Sequence, residues 1–159
     1  MNKLYLLLGS NMGNSKMQLA KAVRLIDKNI GHITRSSALY ATAAWGNTNQ
    51  PDFLNQVLVV ETEFTALQTL QAILNIEKRM GRIRTVKNAP RIIDIDILFF
   101  NREIIQQHHL TVPHPQIQYR RFVLVPLNEL APNLKHPVLN KTVHELLIHC
   151  PDKLNVKKF

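Results

Sequence analysis

The sequence predicts an α+β domain: a ferredoxin-like βαββαβ core whose antiparallel sheet carries packed helices, plus a C-terminal helical extension. Three observations predict it. Apolar runs of strand length alternate with segments of helical period in the order strand, helix, strand, strand, helix, strand. Pairs of Ser or Thr with Gln or Glu three residues later open the helical segments, as in a capping box. The 159 residues, 45% hydrophobic and 19% charged, suffice for one globular domain spanning 1–159 and are too few for two ordinary ones.

Leu4–Leu8 is a short apolar strand ended by the turn Gly9-Ser10-Asn11-Met12-Gly13. Ser15 and Gln18 then fit a capping box, and Leu19, Ala22, Val23, Ile26 and Ile30 recur at helical spacing up to Gly31, a natural stop. Ile33–Tyr40 reads as one strand and Phe53–Glu63, with Val57, Leu58, Val59 and Val60, as the next. Thr65 and Gln68 open a second helix that ends at Gly81, and Ile92–Phe100 is the following strand. Thr142 with Glu145 opens a C-terminal helix, and loops fall at 42–52, 82–91 and 131–140. Parallel strands joined by helices are expected at the centre of the sheet, with helices over at least one face.

Twenty Lys and Arg against eleven Asp and Glu give a net charge of +9, which points to an anionic partner. The single cysteine, Cys150, excludes an internal disulfide and any Cys-rich metal site. The apolar run Leu4–Leu8 is too short for a signal-peptide core, and nothing approaches the roughly 18 apolar residues of a membrane span, so a soluble, cytoplasmic chain is expected.

The sharpest chemical signal is Pro90-Arg91-Ile92-Ile93-Asp94-Ile95-Asp96-Ile97-Leu98. Residues two apart on a strand share a face, so Asp94 and Asp96 project together, about 6.6 Å apart along the strand, with isoleucines on the other face. Two such carboxylates repel each other and cost desolvation; a hard divalent cation relieves both, and Mg²⁺ is commonly held by one or two carboxylates plus phosphate oxygens. The plainer alternative is a solvated edge face. Upstream, six basic residues and no acid lie between Glu77 and Asp94, Arg82, Arg84, Lys87 and Arg91 among them. Guanidinium forks suit phosphate oxygens. The stretch from Arg82 has no apolar period and reads as a mobile loop: a triphosphate clamp beside the acids, a solvated basic loop or an RNA patch. Glu77 falls near the inner helix face and wants a partner, an arginine of the loop or a ligand ring or ribose. His114 is fixed between Pro113 and Pro115, with Arg120 and Phe122 following, and is a weak phosphate-ligand signal alone. The other histidines, His108 and His109 included, show no zinc spacing and read as bland. Phe53 and Asn55 share a strand face and could stack on a flat heterocycle and read its edge, or be core Phe and capping Asn.

Taken in order, Leu8-Gly9-Ser10-Asn11-x-Gly13, Pro51-Asp52-Phe53-Leu54-Asn55, Glu77-x-x-x-Gly81-Arg82-x-Arg84, Pro90-Arg91-x-x-Asp94-x-Asp96-Ile97-Leu98 and Pro113-His114 with Arg120-x-Phe122-Val123-Leu124-x-Pro126-Leu127 resemble the 6-hydroxymethyl-7,8-dihydropterin pyrophosphokinase family over nearly the whole chain. The resemblance implies a folate-biosynthesis transferase that moves diphosphate from ATP to the pterin hydroxymethyl group and releases AMP. It implies two Mg²⁺ on Asp94 and Asp96, and phosphates gripped by Arg82 and Arg91. It also implies an ATP site lined by Glu77, Arg82, Arg84, Arg91, Ile97, Thr111, His114 and Arg120. The pterin would lie between Phe53 and Phe122 with Asn55 reading its edge, closed in by Gly9, Thr42, Ala43 and Trp45. The partners implied are these small molecules, with no nucleic acid and no membrane, and the chain is expected to be a monomer. Two rivals remain at this stage: an RNA-binding module on the same fold, whose sheet face would be disfavoured by the two acids, and another Mg-dependent nucleotidyl or phosphoryl transferase with a different acceptor.

Overall fold

The computed structural model describes residues 1–43, 51–82 and 90–159. Strand β1 (Asn2–Ser10) leads to helix α1 (Ser15–Asn29), strands β2 (His32–Ser36), β3 (Tyr40–Thr42) and β4 (Phe53–Thr62), helix α2 (Ala66–Arg79) and strand β5 (Asp94–Phe100). A small β6–β7 ribbon (Ile105–Gln106, Thr111–Val112), a 3₁₀ turn at Ile117–Tyr119, helices α3 (Arg121–Leu130) and α4 (Val143–Ile148) and strand β8 (Lys157–Lys158) follow. The main sheet runs β5-β1-β4-β3-β8, with β2 also on β4, and its strand pairs are antiparallel. This is the ferredoxin-like arrangement. The expectation that helix-joined strands gather at the centre is corrected: β4 lies between β1 and the β2–β3 strands, and β1 lies between β4 and β5, so each helix crosses over one intervening strand.

Other differences have local causes. Helix α1 is capped by Asn14, whose side chain accepts the Met17 N–H at 3.1 Å, in place of the Ser15–Gln18 box. The boxes at Thr65–Gln68 and Thr142–Glu145 form as predicted. The predicted strand 33–40 is broken at 37–39 because Ser37 turns inward and holds both backbone groups of Val57, its N–H donating to the carbonyl and its Oγ accepting the N–H. Beyond this break Tyr40 donates to Glu129 of α3 at 2.6 Å, and burial, reinforced by that carboxylate, pushes its hydroxyl up to about 12. The phenol thus stays a donor and pins β3, which leads directly to Thr42 and Ala43. Gly31 is required for space: a Cβ there would lie 2.1 Å from the Glu61 carbonyl oxygen.

Strand alternation splits the core into two. Leu4, Leu6 and Leu8 of β1, with Ile95 and Ile97 of β5, pack under α1 and α2. Tyr5 and Leu7, with Val57, Val59, Leu98 and Phe99, pack under α3 and α4. A bulge between Tyr5 and Leu6 places Tyr5 opposite Phe99 and Leu6 opposite Ile97, which lets Leu98 and Phe99 both join the second core. Both faces are therefore covered, except at the end of the second face beyond Leu7 and Val57.

Candidate active site

That open end is built from two neighbouring rungs of the sheet. Leu7 stands between Val57 and Asp96, and Gly9 between Asn55 and Asp94. The register therefore sets Asn55, Gly9 and Asp94 side by side, on strands roughly 4.8 Å apart. Gly9 leaves the floor low: a Cβ there would come within 2.8 Å of Asn55 Oδ1. Asn55 is buried and its Nδ2 has no hydrogen-bond partner among the described residues, which leaves a donor unused at the cavity floor. The cavity above is lined by Thr42, Ala43, Phe53, Phe122, Arg91 and Arg120 as well as these floor residues and Asp96. The Arg91 guanidinium lies 5.7 Å over the Phe53 ring and that of Arg120 5.8 Å over Phe122.

A second cavity lies beyond β5, walled by Ile97, Thr111, His114, Leu70 and Ile73, with His108 and His109 at its side. Asp96 lines both cavities. The His114 N–H donates to the Leu98 carbonyl and its Nδ1 accepts the Gln116 N–H at 3.1 Å, which leaves Nε2 to carry the proton. Burial, with Arg120 nearby, lowers its basicity, so it faces the cavity as a neutral donor.

The two aspartates are unequal. Asp94 accepts from Arg82 at 2.5 Å and from Arg91 at 3.1 Å. Asp96 makes no side-chain hydrogen bond to the described residues; burial first, then the Asp94 and Glu77 carboxylates, push it up to about 7. Glu77 is buried, and its Oε2 accepts both Arg82 at 2.9 Å and the Ile95 N–H at 2.8 Å. Glu77 thus pairs with an arginine at the start of the loop, one of the partners expected for it. Arg82, expected on a mobile loop, is instead held in an ion cluster with Glu77 and Asp94, because the two carboxylates converge on one guanidinium nitrogen. Among the described residues no group of three or more His, Cys, Asp or Glu is assembled as a metal cage. Arg84 and Trp45 lie outside the described residues.

The family model of 7,8-dihydro-6-hydroxymethylpterin-pyrophosphokinase (HPPK) matches residues 5–132. The chain belongs to this family. It is 39% identical over 145 residues to a 2-amino-4-hydroxy-6-hydroxymethyldihydropteridine pyrophosphokinase of Aquifex aeolicus, covering 91% of this chain and 90% of that protein. To the Methylorubrum extorquens protein of the same name it is 40% identical over 148 residues, with 92% of each covered. It is also similar to the folic acid synthesis protein FOL1 of Dictyostelium discoideum, 35% identical over 155 residues, where it covers 98% of this chain and spans only 23% of that protein. A crystal structure of a Plasmodium falciparum HPPK-DHPS triple mutant matches with a TM-score of 0.77 at 22% identity, over 92% of this chain and 43% of that one, a likeness of fold.

As an HPPK, the chain is a pyrophosphokinase, a nucleotide-dependent transferase of folate biosynthesis. No helix among the described residues is long and apolar enough to cross a membrane. The sites the HPPK motifs suggest are brought together in two groups, with Gly9, Thr42, Ala43, Phe53, Asn55 and Phe122 around the first cavity and Ile97, Thr111 and His114 around the second. Arg120 joins the first group. Sequence reading missed Leu7, which lies beside Asp96 only by strand register, and His108 and His109, whose one signal was their place just before Thr111.

Proposed function

We propose that this HPPK transfers diphosphate from ATP to the hydroxymethyl group of 6-hydroxymethyl-7,8-dihydropterin and releases AMP, acting as a single-domain monomer in the cytoplasm. The observation that carries this reading is Asp96 shared between two cavities of different character. One has two phenylalanines and a buried amide with an unused donor, suited to a flat heterocycle with polar edges. The other has Ile97, Thr111 and His114, suited to a nucleotide.

Asp94 and Asp96 offer hard oxygen donors on one face at the junction and would hold Mg²⁺, two ions in this reading. Bound there, Mg²⁺ would neutralise phosphate charge and favour loss of the hydroxyl proton. The chain's own groups do the rest. Phe53, Phe122 and Asn55 hold the pterin with its hydroxymethyl oxygen toward Asp96. That oxygen attacks the β-phosphorus in line and AMP leaves. Arg82 and Arg91 exchange their carboxylate partners for phosphate oxygens as charge builds on the transferring group. Glu77, Arg84, His114 and Arg120 complete the ATP contacts, and Trp45 closes the pterin side.

The deciding experiment is product analysis. ATP, Mg²⁺ and the hydroxymethyl-dihydropterin should yield AMP and the pterin diphosphate in equal amounts, read by anion-exchange chromatography and phosphorus NMR; ADP or free pyrophosphate as main product would overturn the reading.

Arg82 gives a second test. In the free protein its Nη1 is already paired with both Glu77 and Asp94, so a phosphate contact at that nitrogen is gained only when the reacting geometry competes those acids away. A contact realised in the transition state lowers kcat and kcat/KM together. Arg82→Ala is expected to slow single turnover about a hundredfold, the loss of roughly 3 kcal/mol of charge stabilisation, with ATP Kd within about threefold of the parent. A large loss of ATP affinity with parental single-turnover rate would refute this role.

A further inference from the structure

Residues 151–159 follow Cys150, a buried member of the second core. The Asp152 carboxylate fixes the start of this tail. Its Oδ2 accepts the Arg121 N–H at 3.0 Å and its Oδ1 the Leu154 N–H at 2.9 Å. Arg121 is the first residue of α3, and Arg120 before it supplies no side-chain cap. Asp152 therefore satisfies an orphan donor at that helix end, and its charge suits the positive end of the helix dipole. The far end of the tail is fixed by backbone. Lys157 and Lys158 of β8 pair with Ala41 and Tyr40 of β3, and the Phe159 N–H donates to the Leu39 carbonyl at 2.8 Å. Each attachment lies beside a different wall of the first cavity. Arg120 and Phe122, on either side of Arg121, line it, and so do Thr42, which ends β3, and Ala43 after it. Thr42 also stands beside Phe53 in the sheet.

We propose that the C-terminal tail is a strap across the first cavity, with Asp152 as a positioning residue that sets the Phe122 wall against the Thr42 wall for the pterin. This rests on the pyrophosphokinase reading above, which puts the pterin in that cavity. A flat ring gains full dispersion contact only when both walls meet it, and a gap of roughly 0.5–1 Å on one face forfeits about a quarter to a half of the attraction there. Both walls stand on weakly held ends. β3 is three residues long and would be an outer strand without β8. The start of α3 has no cap of its own, whereas Val123, Leu124 and Leu127 further along are buried in the second core. Loss of Asp152 therefore frays the first turn, which carries Phe122, and leaves the helix in place. The second cavity takes no wall from α3 or β3, and Arg120 stays tied through its carbonyl to the Val123 and Leu124 N–H groups. Nucleotide binding should be spared.

The test separates pterin from nucleotide on the full chain. Steady-state rates against 6-hydroxymethyl-7,8-dihydropterin at saturating ATP and Mg²⁺ give kcat and the pterin KM. Isothermal titration with Mg²⁺ and α,β-methylene-ATP, whose α–β linkage cannot be cleaved, gives the nucleotide Kd. Asp152→Ala is expected to raise the pterin KM about tenfold, with kcat and nucleotide Kd within about threefold of the parent, because binding is lost equally in ground state and transition state. Asp152→Asn keeps a carbonyl acceptor for the Arg121 N–H and should return the KM to within about threefold of the parent. Lys157→Pro puts a residue without an N–H into β8 and should raise the pterin KM in the same selective way; it decides the matter if Asp152→Ala does not fold. A parental pterin KM in folded Asp152→Ala or Lys157→Pro overturns the proposal. So does an equal loss of nucleotide affinity, the mark of general loosening, or a KM in Asp152→Asn as high as in Asp152→Ala. A parent that forms no AMP and pterin diphosphate refutes the pyrophosphokinase reading instead, which keeps the two failures apart.

Discussion

Asp96→Asn is expected to slow diphosphate transfer about a thousandfold, a loss of roughly 4 kcal/mol, while raising the stability of the metal-free protein above pH 7. The kinetic part follows from position. Asp96 lines both cavities and its carboxylate is not engaged by a described side chain, so it is the acid most open to a cation held between pterin and triphosphate. The stability part follows from its environment. Its carboxyl is raised from 3.8 to about 7 by burial and by the Asp94 and Glu77 carboxylates. A raised folded value means that the stability Asp96 contributes is full below about pH 4 and is lost as pH climbs through about 7. Asn carries no such charge. The melting temperature of the variant should therefore pull ahead of the parent's between pH 4 and pH 7 and then hold a lead of about 3 °C, since partial exposure limits the gain to about 1 kcal/mol. Asp94→Asn should behave oppositely and melt lower than the parent, because it strips a partner from both Arg82 and Arg91. Calorimetry across this pH range with EDTA, and single-turnover rates at saturating Mg²⁺, would check both halves. Parental turnover in Asp96→Asn would remove it from the metal site, and a constant melting offset would remove its charge as the cause.

Gly31→Ala is expected to cost about 3 kcal/mol or more and lower the melting temperature by roughly 10 °C. The Cβ would meet three backbone atoms of β4, the Glu61 carbonyl oxygen at 2.1 Å, the Glu61 carbonyl carbon at 2.9 Å and Thr62 Cα at 3.0 Å. None of these can rotate away as a side-chain tip could. Retreat of the turn is opposed by the Thr62 hydroxyl, which donates to the Ile30 carbonyl at 2.7 Å in a fully buried position. Gly31 is remote from both cavities, so the folded fraction should retain parental kcat. A melting temperature within about 2 °C of the parent would show that the α1–β2 turn yields more easily than its packing implies.

Sequence pattern carried most of the frame, for identifiable reasons. β1, β4 and β5 are strongly apolar or period-two runs, and α2 has both a capping box and a clear stripe. Helix α3 escaped because Pro126 sits in its interior and argues against helix by any local rule. The broken strand at 37–39 escaped because the break comes from Ser37 bonding to Val57, twenty residues away. In the site, alternation alone places Asp94 with Asp96 and Phe53 with Asn55. That Leu7 lies beside Asp96 and Gly9 between Asn55 and Asp94 depends on register, which no single strand encodes. The capture of Arg82 by two carboxylates is likewise tertiary. Its sequence neighbourhood showed only a basic run.

Strand β5 lies at the edge of its sheet, where an Ile-rich segment would ordinarily invite another chain to pair with it. Glu77 occupies the Ile95 N–H and the His114 segment occupies the Leu98 carbonyl, so two backbone groups of this edge strand are already taken. Before folding, that protection is absent, and the only charges interrupting Ile92–Phe100 are Asp94 and Asp96. The two carboxylates proposed to hold the metal are thus also placed to act as gatekeepers against aggregation during synthesis and refolding. Replacing both by apolar residues would remove a native-state repulsion and at the same moment create a nine-residue adhesive segment. On the proposed reading, folding yield and turnover depend on the same pair of side chains.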